Sequence, residues 1–248
     1  MAALVELVDV YKSFEAVPVL QGVSLVLPKG ETHVVMGGSG SGKTVMLRLT
    51  AGLIRPDSGQ IRLFGTNIER MAEEQLLSRR RRLGYVFQGA ALFDSLSVYE
   101  NVAYPLREHR KLPEAEIRRR VVRYLSLVGL AEEVLAVLPA DLSGGMRKRV
   151  GIARALGAEP EVLLFDEPTA GLDPTNSKLV AELIAELRVG VCDTALVVTH
   201  DLELAKTVAD RVSILMNGRF AVSGSLEAVL DSASAEVQAF LAGELRVS

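Results

Sequence analysis

The stretch GGSGSGKT, residues 37–44, decides the fold of this chain. It matches the pattern G-x-x-x-x-G-K-[ST] in full, and it lies between a predicted strand, Glu31–Met36, and a predicted helix, Thr44–Leu53. Glycines allow backbone N–H groups to surround a triphosphate without Cβ clashes, and the helix N-terminus adds a positive end. The stretch therefore predicts a phosphate-binding loop made of Gly37, Gly38, Ser39, Gly40, Ser41, Gly42, Lys43 and Thr44.

Two side chains of this loop and two acids farther along the chain predict a site for a nucleotide and a metal ion. Lys43 is expected to reach the β- and γ-phosphates, and the Thr44 hydroxyl to bind Mg²⁺. The segment EVLLFDE, residues 161–167, ends a predicted apolar strand with two acids. Asp166 can reach the Mg²⁺ shell through a water molecule, and Glu167 is free to polarise an attacking water.

Length, composition and charge limit the classes of protein to which this chain can belong. The chain has 248 residues, 49% hydrophobic and 24% charged, which fits one large α/β domain or a core with a small subdomain. The net charge of −3 gives no sign of a nucleic-acid partner, and the single Cys192 excludes an internal disulfide. No signal peptide is apparent, and no apolar run approaches the roughly 18–20 residues that span a bilayer. We therefore expect a soluble chain whose membrane role comes through a partner.

Alternating strand and helix patterns predict an α/β fold with a mostly parallel sheet. Residues 1–87 and 146–248 are expected to form this core with an antiparallel β portion, and residues 88–145 a helical insertion. In the insertion, Ser97 and Glu100 fit a capping box, and a helix after Pro113 carries regularly spaced apolar residues: Ile117, Val121, Leu125 and Val128. The other predicted strands are Leu4–Val10, Leu20–Leu27, Gln60–Phe64, Val162–Phe165, Thr194–Val198 and Arg211–Met216, and the other predicted helices are residues 72–82, Met146–Gly157, Thr175–Val189 and Leu202–Ala209.

A basic run, Arg79–Arg82, lies at the end of the helix predicted over residues 72–82. Such a run can attract anionic headgroups at a membrane surface. It can also be a solvated helix end whose charge complements the helix dipole, and we favour this second interpretation.

The segment DLSGGM, residues 141–146, predicts a second anion site at the start of a helix. Ser143 is a good N-cap, and Gly144 and Gly145 leave the amides of the first turn uncovered. One interpretation is an ordinary capped helix. The other is a surface that meets the nucleotide of a second subunit, which predicts a head-to-tail dimer that shares two ATP molecules.

From about Leu4 to Gly224, the order of these motifs closely resembles the ATP-binding cassette (ABC) ATPases. Their signature LSGGQ resembles Leu142, Ser143, Gly144, Gly145 and Met146, with Met146 in place of glutamine. The resemblance implies a P-loop NTPase with a RecA-like core, an antiparallel β subdomain and an inserted α-helical subdomain. It also implies that the signature contacts ATP across a homodimer.

The same resemblance implies roles for further residues. Gln88 is similar to the Q-loop glutamine that faces Mg²⁺ and the reacting water, and His200 to the switch histidine that senses the γ-phosphate. Asp173, in the segment AGLD, resembles the D-loop aspartate. Phe14 is expected to stack on adenine, with Tyr11 as the alternative.

The presence of Glu167 favours active hydrolysis of ATP with Mg²⁺ as cofactor. Two classes of function then need separation. One is the motor subunit of a transporter, which would dock on an integral-membrane permease. The other is a soluble ABC ATPase of DNA repair or translation, for which this chain lacks a long coiled-coil insertion and a second phosphate loop. The small and apolar residues Gly89–Phe93, behind Gln88, suit a docking surface, although a packed loop would look similar.

The segments around Gly89–Asp94 and Glu100–Glu108, with LSGGMRKRVGIARAL at Leu142–Leu156 and AEVQAFLAG at Ala235–Gly243, resemble the Mla-type ATPases. These power phospholipid movement between membranes with an MCE-domain partner. The resemblance implies a peripheral position on the cytoplasmic face of the inner membrane and leaves room for a small regulatory subunit. The alternative is an importer ATPase for amino acids or other polar solutes, which has the same catalytic motifs.

Overall fold

The computed structural model describes residues 3–109 and 112–243, and of His109 only the backbone. Its strands are β1 Ala3–Phe14, β2 Val17–Pro28, β3 Thr32–Met36, β4 Ser58–Leu63, β5 Thr66–Asn67, β6 Leu83–Val86, β7 Val162–Asp166, β8 Ala195–Thr199, β9 Arg211–Met216 and β10 Arg219–Gly224. Its helices are α1 Lys43–Thr50, α2 Glu73–Arg80, α3 Val98–His109, α4 Glu114–Leu127, α5 Gly144–Leu156, α6 Pro174–Gly190, α7 Leu202–Val208, α8 Leu226–Leu230 and α9 Ala235–Leu241.

A six-stranded sheet in the order β10-β9-β3-β8-β7-β6 forms the core. All its neighbouring pairs are parallel except β10 with β9. Strands β3, β7 and β8 are buried at every position, which explains their nearly unbroken apolar sequences, since both faces of a parallel sheet are covered. The carboxyl ends of these three strands meet at one edge, where a ligand site is expected.

A second, antiparallel sheet has the order β2-β1-β4-β5. Val5 and Leu7 of β1 point to its buried face, as alternation along a strand requires, and an irregularity in the strand register between Leu7 and Val10 brings Val10 to the same face. They share a hydrophobic cluster with Met46 and Leu47 of α1 and with residues of the parallel sheet. Helix α1 and the phosphate loop before it are therefore held by the core that joins the two sheets.

Helices α3, α4 and α5 pack on one another to form the predicted helical segment. The buried positions of α4 are Ile117, Val121, Tyr124 and Leu125, so the predicted apolar spacing is confirmed. The proposed division of the chain at residues 88–145 stays a prediction. Residues 1–2, 110–111 and 244–248 of the predicted segments lie outside the described residues. Among the described residues, no helix combines the length and the apolar character needed to cross a membrane.

Two local expectations were only partly right. Ser97 Oγ accepts a hydrogen bond from the Glu100 N–H at 3.2 Å, but the Glu100 carboxylate pairs with Arg107, so the second half of the capping box is not made. The basic run is not a freely solvated helix end. Arg80 donates to the carbonyl oxygens of Ala51 and Gly52, and the Arg82 guanidinium lies 3.5 Å from the centre of the Phe64 ring.

Candidate active site

The phosphate loop joins β3 to α1 in a conformation that only glycine adopts readily. Gly42, the N-cap of α1, has φ 103° and supplies no side-chain cap, so the first-turn amides of α1 keep no partner within the helix. A Cβ on Gly37 would lie 2.5 Å from the Leu215 carbonyl oxygen. Ser41 Oγ is buried without a hydrogen-bond partner among the described residues. Uncapped amides and an unpaired hydroxyl around a glycine loop fit a phosphate group.

The Lys43 ammonium lies inside this loop. Its Nζ donates to the carbonyl oxygens of Gly37 at 2.7 Å and Gly38 at 2.9 Å. The same Nζ is 3.3 Å from Glu167 Oε1, and both side chains are almost fully buried. The positive charge is thus held between the loop that would bind phosphate and the acid that would activate water.

Glu167 contacts two other predicted site residues, His200 and Lys43. Its Oε2 is 2.9 Å from His200 Nδ1 and accepts the His200 backbone N–H at 3.3 Å, while its Oε1 faces Lys43. Its backbone is in the left-handed region, at φ 47°, which a residue with a side chain adopts at some cost. The structure therefore brings Lys43, Glu167 and His200 together, as the sequence predicted.

Thr44 and Asp166, which the sequence predicts as oxygen ligands of Mg²⁺, are in direct contact. Thr44 Oγ1 donates to Asp166 Oδ1 at 2.8 Å, and Tyr85 donates its hydroxyl to Asp166 Oδ2 at 3.2 Å. Burial raises the pKa of Tyr85, and the Asp166 charge raises it further, so Tyr85 remains a donor. A hydroxyl and a carboxylate oxygen are the hard ligands that Mg²⁺ takes in proteins, and these residues fit that ion.

Gln88 lies just beyond the end of β6, and its side chain is exposed. Its carbonyl oxygen accepts a hydrogen bond from Lys148 on α5. The amide of the side chain makes no hydrogen bond to another described residue, so it is available to a ligand. Its contact with Mg²⁺ or water remains a prediction.

The signature residues begin α5 as predicted, with Ser143 Oγ accepting the Met146 N–H at 3.2 Å. Leu142 is buried, whereas Ser143 and Gly144 are exposed. Gly145 packs tightly on α6, because a Cβ there would lie 2.6 Å from Asn176 Oδ1. Asp173 caps α6: its carboxylate accepts hydrogen bonds from the Asn176 side-chain amide at 2.5 Å and from the Asn176 N–H at 3.0 Å, and these lower its pKa.

The two candidate adenine-stacking residues lie at the end of β1. Phe14 and Tyr11 are both about half exposed, and the Lys12 ammonium is 5.3 Å from the centre of the Phe14 ring. A cavity of about 540 Å³ lies beside the phosphate loop, between Gly38–Ser41 and the turn after β9. Neither aromatic lines it. The ring that does is Phe240 of α9.

A shallower apolar groove lies behind Gln88. Its volume is about 300 Å³, and its lining includes Phe87, Ala91, Phe93, Tyr104 and Arg154. The rings of Phe93 and Tyr104 are 5.0 Å apart and remain exposed. The loop is nevertheless held firmly, because Arg154 donates to the carbonyl oxygens of two residues with positive φ, Ala90 and Ala91, at 2.8 and 2.6 Å.

Sequence reasoning missed three residues of the site, Tyr85, Lys148 and Phe240. The signal for Tyr85 is its place beside Val86 and Phe87 in an apolar run, where a phenol hydroxyl needs a polar partner. Lys148 follows Gly145 by three residues and precedes Ile152 by four, so it interrupts the buried stripe of α5. No comparable local signal marks Phe240, whose position depends on how α9 packs.

Comparison with known proteins places the chain in a family. The family model described as ABC transporter matches residues 20–170. The probable ribonucleotide transport ATP-binding protein mkl of Mycobacterium tuberculosis is 40% identical over 98% of this chain and 67% of its own length. The methionine import ATP-binding protein MetN of Mesorhizobium japonicum is 39% identical over 98% of this chain and 66% of its own length. The intermembrane phospholipid transport system ATP-binding protein MlaF of Escherichia coli is 38% identical over 98% of this chain and 90% of its own length.

Solved structures agree with this placement. The ATP-binding cassette MJ0796, seen as a dimer in a post-hydrolysis state with ADP and Pi, matches with a TM-score of 0.84 and 32% identity over 90% of this chain and 98% of that one. The cbiO1 protein of Clostridium perfringens, part of the ABC transporter complex cbiONQ, matches with a TM-score of 0.84 and 30% identity over 97% and 96%. The predicted P-loop NTPase fold is confirmed. This chain belongs to the ABC transporter family and is one of its ATPases.

Proposed function

We propose that this ATPase drives phospholipid transport between membranes as the motor of an Mla-type system with an MCE-domain partner. The main support for the proposal is the length over which the chain matches MlaF. The match covers 90% of MlaF, whereas it covers 67% of mkl and 66% of MetN. The Mla-like loop at Gly89–Asp94 supports it, because the structure places this loop in an exposed apolar groove.

Nucleotide binding begins at the phosphate loop. The uncapped amides of α1 and the residues Gly37–Thr44 take the triphosphate, and Lys43 exchanges its carbonyl partners for phosphate oxygens. Phe14 stacks on the adenine. Thr44 and Asp166, with Gln88 nearby, would hold Mg²⁺, which when bound supplies charge neutralisation at the β- and γ-phosphates.

Hydrolysis requires an oriented water molecule. Glu167 orients this water for in-line attack on the γ-phosphate, while Lys43 and His200 stabilise the charge that develops there. The hydrogen bonds that Glu167 accepts from His200 hold the two side chains together where β7 and β8 end. The P–O bond to ADP breaks as the bond to water oxygen forms, and release of the products resets the site.

Each active site is completed by a second copy of this chain. Ser143 and Gly144 are exposed at the start of α5, which suits contact with a phosphate of the partner's nucleotide. The MJ0796 cassette was solved as a dimer. Closure of two such chains over two ATP molecules, followed by reopening after hydrolysis, supplies the mechanical work.

The groove behind Gln88 receives a helix from an integral-membrane permease. Phe93 and Tyr104 offer exposed aromatic area in this groove, and large aromatic side chains often anchor protein interfaces. Because Gln88 lies just beyond the end of β6 and between two groove-lining residues, Phe87 and Ala91, movement at one side reaches the other. In this proposal the chain lies on the cytoplasmic face of the inner membrane, bound through its partners, and a small regulatory subunit is compatible with it.

An importer motor for amino acids or other polar solutes is the second candidate, favoured by the 39% identity to MetN. The two candidates differ in cargo. The test is to purify the chain with its native membrane partners and to identify the co-purified molecules by mass spectrometry. Phospholipid bound in stoichiometric amount is the expected result, and a polar solute without phospholipid would contradict the lipid assignment.

A further inference from the structure

Lys148 is a buried cation beside the site, and none of the roles assigned above involves its side chain. It lies in the first half of α5 with only 6% of its surface exposed. Its Nζ donates to the backbone carbonyl oxygen of Gln88 and to that of Glu167, the latter at 3.1 Å. One ammonium group therefore joins three segments: helix α5, the second residue after β6 and the first residue after β7.

A buried lysine needs interactions that offset the unfavourable free energy of removing its ammonium group from water. Burial lowers the pKa of Lys148, whereas the nearby charges of Glu167 and Asp166 act in the opposite direction. Its neighbour Arg149 also donates to backbone carbonyls, those of Val128 and Gly129, but these lie on the loop after α4. Of the two cations, only Lys148 reaches the reacting centre.

The backbone of Glu167 is the part of the site that needs such support. Its left-handed conformation, φ 47°, aims the carboxylate at Lys43 and His200. The Glu167 N–H is fixed by a hydrogen bond to the Val198 carbonyl at 2.9 Å. Its carbonyl oxygen accepts hydrogen bonds from Lys148 Nζ at 3.1 Å and from the Ala170 N–H at 3.2 Å. An unusual backbone conformation persists only where its surroundings determine it, and Lys148 supplies the one side-chain contact among these three hydrogen bonds to the Glu167 main chain.

We propose that Lys148 is a positioning residue for ATP hydrolysis, which holds the backbone of Glu167 so that its carboxylate is aimed at the attacking water. Through the Gln88 carbonyl, Lys148 also fixes the start of the loop that forms the permease groove. Lys148 acts through these backbone carbonyl groups. The proposal rests on the catalytic role assigned to Glu167 under the proposed function.

The test compares Lys148→Met with the unaltered chain in steady-state ATPase assays. Binding sites are counted by titration with a fluorescent ATP analogue, so that kcat is expressed per functional site. We expect kcat per site to fall about ten-fold, with KM for ATP changed less than about two-fold, because positioning acts on the transition state. Lys148→Arg, which keeps the donors, should recover at least part of the loss. Arg149→Met is the matched control and should keep its kcat.

The other outcomes are also decisive. An unchanged kcat per site in Lys148→Met, with fewer sites and a lower Tm, would assign Lys148 to folding and overturn the proposal. A rise in KM that accompanies the fall in kcat would assign Lys148 to ATP binding and would also overturn the proposal. If Lys148→Met does not fold, Lys148→Gln is measured in the same way. Glu167→Gln is assayed alongside: turnover in that variant would refute the catalytic role of Glu167, whereas an inactive Glu167→Gln with a fully active Lys148→Met would refute only the positioning role.

Discussion

At the residue scale, the site is organised around Glu167. Its carboxylate lies between a lysine of the phosphate loop and a histidine at the end of a neighbouring strand, with Oε1 3.3 Å from Lys43 and Oε2 2.9 Å from His200. Asp166, one residue earlier, points instead to Thr44 and Tyr85. Glu167 lies just past the end of β7 with φ 47°, so its carboxylate is turned away from that of Asp166: Asp166 faces Thr44, and Glu167 faces Lys43 and His200.

Substitution of Phe14 tests the adenine contact. If its exposed ring stacks on the base, Phe14→Ala should raise KM for ATP by roughly two- to ten-fold, since aromatic stacking contributes about 0.5–1.5 kcal/mol. Tyr11→Ala is the matched control and should change KM little. The larger effect in Tyr11→Ala would instead identify Tyr11 as the stacking residue. Steady-state ATPase measurements at varied ATP concentration give both values.

His33 provides a pH test of the core. It is buried on β3, where Nε2 is 2.8 Å from Ser213 Oγ, and burial with the nearby Arg211 charge lowers its pKa to about 3. The unfolded chain takes up this proton near pH 6.5 and the folded chain does not, so stability present above that pH is lost as the pH falls towards 3. We expect the free energy of unfolding to fall by at most about 1.4 kcal/mol per pH unit from this residue.

Urea unfolding at pH 7.5 and at pH 5.5 measures this effect. His33→Leu should have a smaller difference between the two pH values than the unaltered chain. Glu31 lies beside His33, with Oε1 3.7 Å from His33 Nδ1, and its carboxyl also titrates. The pH dependence of Glu31→Gln, measured in the same way, is the control that separates the contribution of Glu31 from that of His33. An equal pH dependence in His33→Leu and the unaltered chain would refute the assignment.

At the element scale, side chains of two helices hold the loop between β6 and α3 in place. Arg154 of α5 binds its first half, and Asn101 of α3 binds its second half. The Asn101 side chain is fully buried and makes hydrogen bonds to the backbone of Phe93, Leu96 and Ser97 at 2.8–3.1 Å. A loop that carries an exposed groove is thus kept in one conformation by buried polar contacts.

Replacement of Asn101 by alanine leaves several buried backbone groups without partners. The free energy of unfolding should fall by about 1–3 kcal/mol, and hydrogen exchange of the amides in residues 93–97 should rise. Asn67→Ala, which removes only the exposed contact to Arg62, is the control and should cost less than about 0.5 kcal/mol. Equal stability of the two variants would show that Asn101 does not hold the loop.

The sequence was informative where local patterns decide the structure. Strand β7 was predicted as Val162–Phe165 and ends at Asp166, because an apolar run with acids after it admits few other structures. Strand β10 was not predicted; its alternate residues are exposed and half-buried, which gives a weak pattern. The motif residues of the site were predicted, whereas the Lys148 and Tyr85 contacts were not, since they depend on how α5 and β6 pack against β7.

At the scale of the whole molecule, one chain carries both the phosphate loop and the signature, which we propose belong to two different active sites of a dimer. The phosphate loop lies at the carboxyl end of β3, and the signature begins α5 on the helical segment, packed against α6. The dimeric MJ0796 cassette has the same fold. A single chain would then bind ATP, but two chains would be needed to hydrolyse it.

Mixing two inactive variants tests this sharing of sites. Lys43→Ala removes the phosphate contact, and Ser143→Arg blocks the signature of the same chain. If the signature acts across the dimer, a mixed dimer keeps one intact composite site, so an equimolar mixture should regain up to about a quarter of the original ATPase activity. Each variant alone is the control. A mixture as inactive as its components would show that both motifs must lie on one chain.

The most direct test of the central claim is the ATPase activity of Glu167→Gln, measured together with its ATP-dependent dimerisation. The amide keeps the size of the side chain and its place beside Lys43 and His200, but it loses the negative charge that polarises water. We expect hydrolysis to fall by at least about a hundred-fold while ATP still binds and holds two chains together, as seen by light scattering. Undiminished hydrolysis in this variant would contradict the mechanism.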